Sequence, residues 1–274
     1  LDAVRPLLQA RAQEKSITLY EQIEPDLPDI FIDTQKIGRV IVNLVVNAVK
    51  FSPEGSEITL NVHADGNGGV EFEVQDQGVG IAPGDLPNIY ERFTQFGDPR
   101  RSVAKGFGLG LSIARDLVWL NLGTMRIASE EGQGSTFAFT VPVNDTGAIL
   151  RQYLNRIERT EEDEPLTLLE VHAYNPETTQ EQMREGLSAV TRSMDLLLPS
   201  NDGKTLYAIG TSDQPDGWIA KLTVGAERAG KQREKPNPLN IAWQGTWSLD
   251  KAEDNILSII SRSNKEVGDA RFRH

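Results

Sequence analysis

The chain has 274 residues, 38% of them hydrophobic and 25% charged, an ordinary balance for a soluble globular protein with length for two cores. A net charge of -12 argues against a nucleic-acid partner, and the lack of cysteine excludes disulfides and thiolate metal sites. The longest apolar run, residues 40–49, is broken by Asn43 and Asn47 and is too short to span a bilayer.

No signal peptide is visible, and a start at Leu1 rather than Met leads us to expect a fragment. Residues 2–15 read as a short helix with Val4, Leu7, Leu8 and Ala12 on one side. SITLYEQI and DIFI read as short strands. From Asp33, a plausible N-cap, Ile37, Val40, Ile41, Leu44, Val45 and Ala48 follow the spacing of an amphipathic helix. Ile58, Leu60 and Val62 alternate, as do Val70, Phe72 and Val74, with ADGNGG between them, which predicts a hairpin. Residues 82–105 read as loop with a helical piece around ERF. A helix then places Leu109, Ile113, Leu117 and Leu120 inward, and TMRIAS and STFAFTV form a second hairpin across EEGQG.

The charged stretch ERTEEDEP marks a boundary, with Ile149, Leu150, Tyr153 and Ile157 on a connecting helix. Beyond it the pattern predicts strand 166–174 and helix 176–194, capped by Asn175 with Pro176 in its first turn. A hairpin across SNDGK, helix 215–228, strand 239–245 and helix 249–266 complete the order.

Three groups of residues carry chemistry. Asn43, Asn47 and Lys50 stand at i, i+4 and i+7, one stripe away from the apolar face. Two amide carbonyls and an ammonium on a line suit a hydrated magnesium ion and a phosphate, or form a solvated helix face. DQGVGI begins with Asp76 at a strand end, where a carboxylate can accept a hydrogen bond from an exocyclic amine; Gly78 and Gly80 allow close backbone approach, as they would in a common turn. KGFGLGLSIAR sets Gly106, Gly108 and Gly110 ahead of a helix N-terminus, which favours an anion, and Arg100, Arg101 and Lys105 precede it. Its spacing is neither the dinucleotide fingerprint nor a Walker loop.

Together these stretches resemble the catalytic ATP-binding domain of bacterial sensor histidine kinases, in the gyrase–Hsp90–histidine kinase–MutL superfamily. NLVVNAVKFSPEG is similar to the family's asparagine box, DQGVGI to its first glycine box and ERFTQF to its phenylalanine box. GFGLGLSIAR resembles the second glycine box and EGQGSTF the last, all in the family's order over residues 17–143. The resemblance implies an α+β chain whose first part is a two-layer α/β sandwich of Bergerat type. It implies ATP and Mg2+ as cofactors, with Asn47 on the metal and Asn43 and Lys50, the catalytic candidates, at the phosphates. Asp76 would read adenine beside Gly78 and Gly80. Lys105, Gly106, Gly108, Leu109 and Gly110 would form the triphosphate lid, Thr136 would support the adenine, and Phe93 and Phe96 would anchor the lid or serve as core aromatics. Superfamily members that hydrolyse ATP commonly carry a glutamate four residues before the magnesium asparagine. Asn43 stands there instead and cannot act as a base near pH 7, which favours phosphoryl transfer over hydrolysis. Phe107, in place of a small residue, and LNLG, in place of a histidine–glycine pair, depart from the pattern.

A kinase of this family needs an acceptor histidine on a helical dimerisation domain. His63, His172 and His274 lie in no such motif and read as structural or incidental. The resemblance therefore implies an acceptor upstream, with residues 1–16 the end of a dimerisation helix and connector, 17–144 the ATP-binding domain, 145–164 a linker and 165–274 a further domain. It also implies a homodimer of the full-length protein, a response regulator as partner, a cytoplasmic site, and no membrane contact by this fragment. The final part reads as a ferredoxin-like βαββαβ domain. VTRSMDLLLPSNDGKTLYAIGTSD resembles the centre of a diguanylate cyclase (GGDEF) domain in degenerate form, its signature falling on Asn201, Asp202, Gly203, Lys204 and Thr205. The family's metal positions fall on Glu170 and His172, and Arg192 and Asp195 match its cyclic-di-GMP site pattern or form an ordinary helix-end pair. A receiver domain would need an acidic pair after its first strand, and LTLLEVHAYN has none.

Overall fold

The computed structural model describes residues 1–93, 108–160, 164–232 and 238–271. The chain divides into two compact units, Leu1–Ile149 and Leu150–His274. Among the described residues no helix is long and apolar enough to cross a membrane.

The first unit runs α1 (Arg5–Gln13), β1 (Thr18–Ile23), α2 (Thr34–Phe51), β2 (Glu57–Ala64), β3 (Gly69–Asp76), a 3-10 turn Leu86–Asn88, α3 (Gly110–Leu120), β4 (Met125–Glu130) and β5 (Gly134–Pro142). Its five strands are ordered β1-β2-β3-β5-β4, with β1 parallel to β2 and the other pairs antiparallel. The period-2 residues Ile58, Leu60, Val62, Val70, Phe72 and Val74 line one face with Phe137, Phe139 and Val141. Helix α2 lays Ile37, Val40, Ile41, Leu44, Val45 and Ala48 onto that face, flanked by Leu8 and Ala12 of α1 and Ala114 and Val118 of α3. The result is a two-layer sandwich whose other sheet face carries polar side chains. Asp33 caps α2 as expected: its carboxylate accepts from the amides of Gln35 and Lys36, both at 3.0 Å. Burial raises the Asp33 pKa, but the Lys36 ion pair and the two amides outweigh that and hold it below the usual value.

Around α4 (Thr146–Glu158), the second unit continues β6 (Leu166–Ala173), α5 (Gln180–Ser188), β7 (Leu196–Pro199), β8 (Thr205–Thr211), α6 (Pro215–Gln232), β9 (Leu239–Trp247) and α7 (Leu249–Arg271). Its four strands form an antiparallel sheet ordered β7-β8-β6-β9. Leu169 and Val171 pack with Met183 and Leu187 of α5 and Trp218 and Leu222 of α6. Tyr153 of α4, 1% exposed, donates its hydroxyl hydrogen bond to the Ile209 carbonyl.

Four local expectations differ. DIFI makes one isolated bridge, Ile30 to Val143, rather than a strand. The helical piece lies at Leu86–Asn88, ahead of ERF, with Pro87 near its start. In α3 the core face is Ala114 and Val118 with Leu111 and Leu117, not the Leu109–Ile113–Leu120 line; the helix is apolar on most sides, so periodicity alone does not single out the face. Helix α5 begins at Gln180 because Thr179 and Gln182 form a reciprocal capping box. Asn175 instead accepts from the Glu177 amide at 3.0 Å in the turn before it.

Replacing Asp33 with alanine is expected to lower stability by about 1 kcal/mol, the usual worth of an N-cap, as a shift of the urea midpoint with unchanged slope.

Candidate nucleotide site

Asp76 ends β3 and is 6% exposed. Strand alternation puts it on the helix-covered face with Val74 and Phe72, directly across the ladder from Ser135 of β5. Its Oδ1 accepts from the Gly78 amide at 2.8 Å and the Ser135 amide at 3.3 Å, whereas Oδ2 has no hydrogen bond to a described residue. Burial pushes the Asp76 carboxyl pKa up, and the two amides only partly oppose it.

The loop after Asp76 folds back onto the β4–β5 turn. The Gly132 amide donates to the Val79 carbonyl at 2.8 Å, and the Ile81 amide to Ser129 Oγ at 2.9 Å. Ser129 Oγ also lies 2.9 Å from Ser135 Oγ, so a seryl pair joins the two walls. Gly80 has φ +67°, and an added Cβ would stand 1.9 Å from the Glu130 carbonyl oxygen. Gly134 has φ +94°, with its added Cβ 2.1 Å from the Asp76 carbonyl oxygen. At Gly78 a Cβ would meet Asp76 Oδ1 at 2.7 Å and the Phe51 carbonyl oxygen at 2.8 Å. Next to Phe51, Ser52 is 2% exposed and its Oγ has no partner among the described residues. A bound water or ligand atom commonly satisfies such a hydroxyl.

The asparagine stripe faces the start of α3. Asn43 Nδ2 donates to the Gly110 carbonyl at 3.4 Å, and a Cβ on Gly110 would lie 3.7 Å from Asn47 Nδ2. The Asn47 amide makes no hydrogen bond to a described residue. Lys50 Nζ lies 4.8 Å from the Phe51 ring centroid. Gly108 has φ +65°, Leu109 is the N-cap residue, and the Leu109 carbonyl accepts from Ser112 Oγ at 2.9 Å. Phe93 is 75% exposed, which removes it from the core, and its amide donates to the Gly108 carbonyl at 3.0 Å. Arg92 pairs with Asp116 at 2.9 Å and Arg115 lies over Tyr90, both joining residues 90–93 to α3. Phe96, Arg100, Arg101, Lys105, Gly106 and Phe107 lie outside the described residues.

Thr136 pairs with Gln75 and so alternates to the other face of the sheet; Ser135 is the residue beside Asp76. The β3–β5 pairing, which local sequence does not give, decides it. Two further supports had no sequence signal. Lys15 caps the C-terminus of α2, its Nζ donating to the carbonyls of Val49 and Lys50, each at 3.1 Å, and of Ser52 at 2.5 Å. Asn121, within LNLG, accepts from the Asp33 amide at 2.6 Å and donates to the Leu117 carbonyl at 2.8 Å, tying the end of α3 to the start of α2.

In the second unit the residues on which the expected cyclase motif fell are engaged by neighbouring side chains and amides. Glu170 accepts from Gln244 Nε2 at 2.6 Å, and its other oxygen lies 2.9 Å from His172 Nε2. Asp202 accepts from the amides of Lys204 and Thr205 and, at 2.5 Å, from Thr205 Oγ1, so it is consumed by its own turn. Arg192 and Asp195 close on each other, Arg192 N to Asp195 Oδ2 at 2.8 Å, with the Asp195 side chain 1% exposed.

Residues 32–145 match the family model described as Histidine kinase-, DNA gyrase B-, and HSP90-like ATPase. This segment is similar to the ATP-binding domain of that family. The chain is 38% identical over 130 residues to the adaptive-response sensory kinase SasA of Crocosphaera subtropica, covering 47% of this chain and 34% of that one. Against SasA of Synechococcus elongatus it is 35% identical over 143 residues, covering 52% of this chain and 36% of the relative. The chain thus spans about a third of the length of these curated relatives (34% and 36%). Among solved structures it is similar to full-length ShkA in complex with AMPPNP, with 34% identity, a TM-score of 0.46, and coverage of 52% of this chain and 29% of that one.

Gly80→Ala is expected to destabilise the first unit by about 1–3 kcal/mol, because both the φ and the contact with Glu130 oppose a side chain. Chemical denaturation measures this. For ligand-free Asp76→Asn the sign is opposite. A carboxyl with a raised folded-state pKa helps stability at low pH and loses that contribution as pH rises through the folded value. The variant should therefore unfold at higher urea than wild type at pH 7, with the gap closing in acid.

Proposed function

We propose that the first unit binds ATP with Mg2+ and transfers the γ-phosphoryl group to a histidine on a dimerisation domain outside these residues, as part of a two-component sensor kinase. The observation that carries the reading is Asp76: a buried carboxylate with Oδ1 fixed by two amides and Oδ2 without a hydrogen bond to any described residue. Such an oxygen accepts the exocyclic amine of adenine and faces a carbonyl in guanine. The residues fit magnesium, since Asn47 offers a half-buried amide oxygen with no hydrogen bond to a described residue, and Mg2+ takes one or two protein oxygens alongside phosphates. Bound there, the ion would neutralise charge on the phosphates. Lys50 supplies a nearby cation, and the open amides at the start of α3 favour an anion.

Asn43 spends its Nδ2 on the Gly110 carbonyl and carries no basic group, so water is not activated at that position. An acceptor imidazole nitrogen would form the new P–N bond as the bond from Pγ to the β–γ bridging oxygen breaks and ADP leaves. Positioning and charge stabilisation supply the catalysis. Thr136 retains a role through the strand it shares with Ser135. Of the lid candidates, Gly108, Leu109 and Gly110 would stand over the phosphates, with Phe93 bonded to Gly108 as their anchor, while Lys105 and Gly106 lie outside the described residues.

By this reading the full-length protein is a cytoplasmic homodimer that phosphorylates a response regulator. The second unit is a ferredoxin-like, cyclase-like domain without catalysis, a reading supported by its βαββαβα order and the β7-β8-β6-β9 sheet. The alternative of a scaffold that binds ATP without transfer is separated by adding a dimerisation domain and following label from γ-labelled ATP. Label on the acceptor histidine, lost in Asn47→Asp, is the expected result; ATP binding with no labelled acceptor would sink the kinase reading.

Asp76→Asn is expected to weaken ATP about 10- to 150-fold, the range for losing a hydrogen bond to a charged acceptor. Wild-type affinity should also fall in acid as the Asp76 carboxyl protonates, above the usual aspartate value, and the variant should lack that limb. Calorimetry across pH reads both.

A further inference from the structure

The polar face of the first sheet holds a second cluster, independent of the nucleotide reading. His63 of β2 stands directly across the ladder from Glu71 of β3, and Glu73 follows two residues on, on the same face. Arg126 of β4 reaches over Ala138, which lies between it and Glu73 in register. Its guanidinium holds Glu71 by both oxygens, at 2.8 and 2.7 Å, and Glu73 Oε1 at 2.5 Å. One arginine for two carboxylates leaves a negative charge uncompensated, and that charge faces His63. His63 Nε2 lies 3.7 Å from Glu71 Oε1 and 3.6 Å from Glu73 Oε2.

The orientation of the imidazole decides what this geometry asks for. His63 Nδ1 lies 3.1 Å from the Ala64 carbonyl oxygen, which can only accept, so Nδ1 carries the proton. In the neutral ring the Nε2 lone pair then faces two carboxylate oxygens, of which Glu71 Oε1 already accepts from Arg126 Nη2 and Glu73 Oε2 has no donor among the described residues. A cation belongs at that point. Two ligands of a tetrahedral ion with bonds of about 2.0–2.1 Å stand about 3.4 Å apart. The two histidine–carboxylate separations exceed this by a few tenths of an ångström, and all three ligand atoms lie within 4.8 Å of one another.

We propose that His63 Nε2, Glu71 Oε1 and Glu73 Oε2 bind a divalent transition-metal ion of the zinc type, clipping β2 to β3. An imidazole with two carboxylates suits zinc or cobalt rather than magnesium or calcium. The surroundings orient the ligands: a carbonyl fixes the histidine tautomer, and Arg126 holds Glu71 by both oxygens, the ligand Oε1 among them, and Glu73 by Oε1, which leaves Glu73 Oε2 to the ion and has the ion share Glu71 Oε1 with the guanidinium. Three protein ligands leave a fourth position to water. The clip acts on the strand that ends at Asp76, so metal binding stabilises the sheet from the face opposite the nucleotide site.

The test is titration of the metal-free 274-residue chain with Zn2+ at pH 7.5 by calorimetry, and with Co2+ by visible absorption. One equivalent should bind, with a higher melting temperature, and His63→Ala and Glu73→Gln should each weaken it by about tenfold or more. His172→Ala, at the other histidine–carboxylate pair, should bind as wild type does. Circular dichroism checks that each variant is folded, and His63→Gln provides a second route if alanine perturbs the hairpin. No stoichiometric metal in wild type, or undiminished binding in folded His63→Ala and His63→Gln, would overturn the proposal; the first result would leave a proton as the cation between the carboxylates.

Discussion

A carboxylate buried at the end of β3 sets the terms for the rest of the first unit. Asp76 is costly to bury, and the fold meets that cost by pointing the Gly78 and Ser135 amides at one oxygen. Those amides arrive only because the following loop turns back sharply and β5 begins alongside. Hence the chain must pass within contact of Glu130 at Gly80 and of Asp76 itself at Gly134, where side chains have no room. The glycines of DQGVGI and EGQGS are thus consequences of one placement. What remains is Oδ2, an oxygen without a partner among the described residues, which on the proposed reading serves as a recognition element.

The two faces of the sheet divide the work. The inner face carries mostly apolar side chains, and along β3 it turns polar at Asp76, beside the end of α2. The outer face is mostly polar and is held by Arg126 across Ala138. A single residue's shift in register would exchange these faces, moving Asp76 to solvent and Glu71 into the core. The polar network on the outer face therefore helps to specify the register on which the nucleotide site depends.

Much of this was legible in the sequence, for reasons that differ by element. Helix α2 was readable because its six core residues keep a strict three-and-four spacing and Asp33 precedes them. The β2–β3 hairpin was readable because alternation and a glycine-rich turn coincide. The face of α3 was not, since leucine, isoleucine and valine surround it and only the packing against α2 selects Ala114 and Val118. Ser135, rather than its neighbour Thr136, stands beside Asp76 because strand pairing fixes parity, and pairing is long-range information. Lys15 and Asn121 cap helices far from them in sequence, and no local pattern announces such contacts. His63 read as incidental because its partners Glu71 and Glu73 meet it only once the hairpin closes.

The central claim is that Asp76 reads the exocyclic amine of adenine through its unpaired oxygen. It is tested most directly by calorimetric comparison of ATP, inosine triphosphate and GTP on the wild-type chain with Mg2+. The account predicts that ATP binds and that inosine triphosphate, which replaces the amine with a carbonyl, binds at least about tenfold more weakly, with GTP no better. Equal affinities for ATP and inosine triphosphate would contradict it.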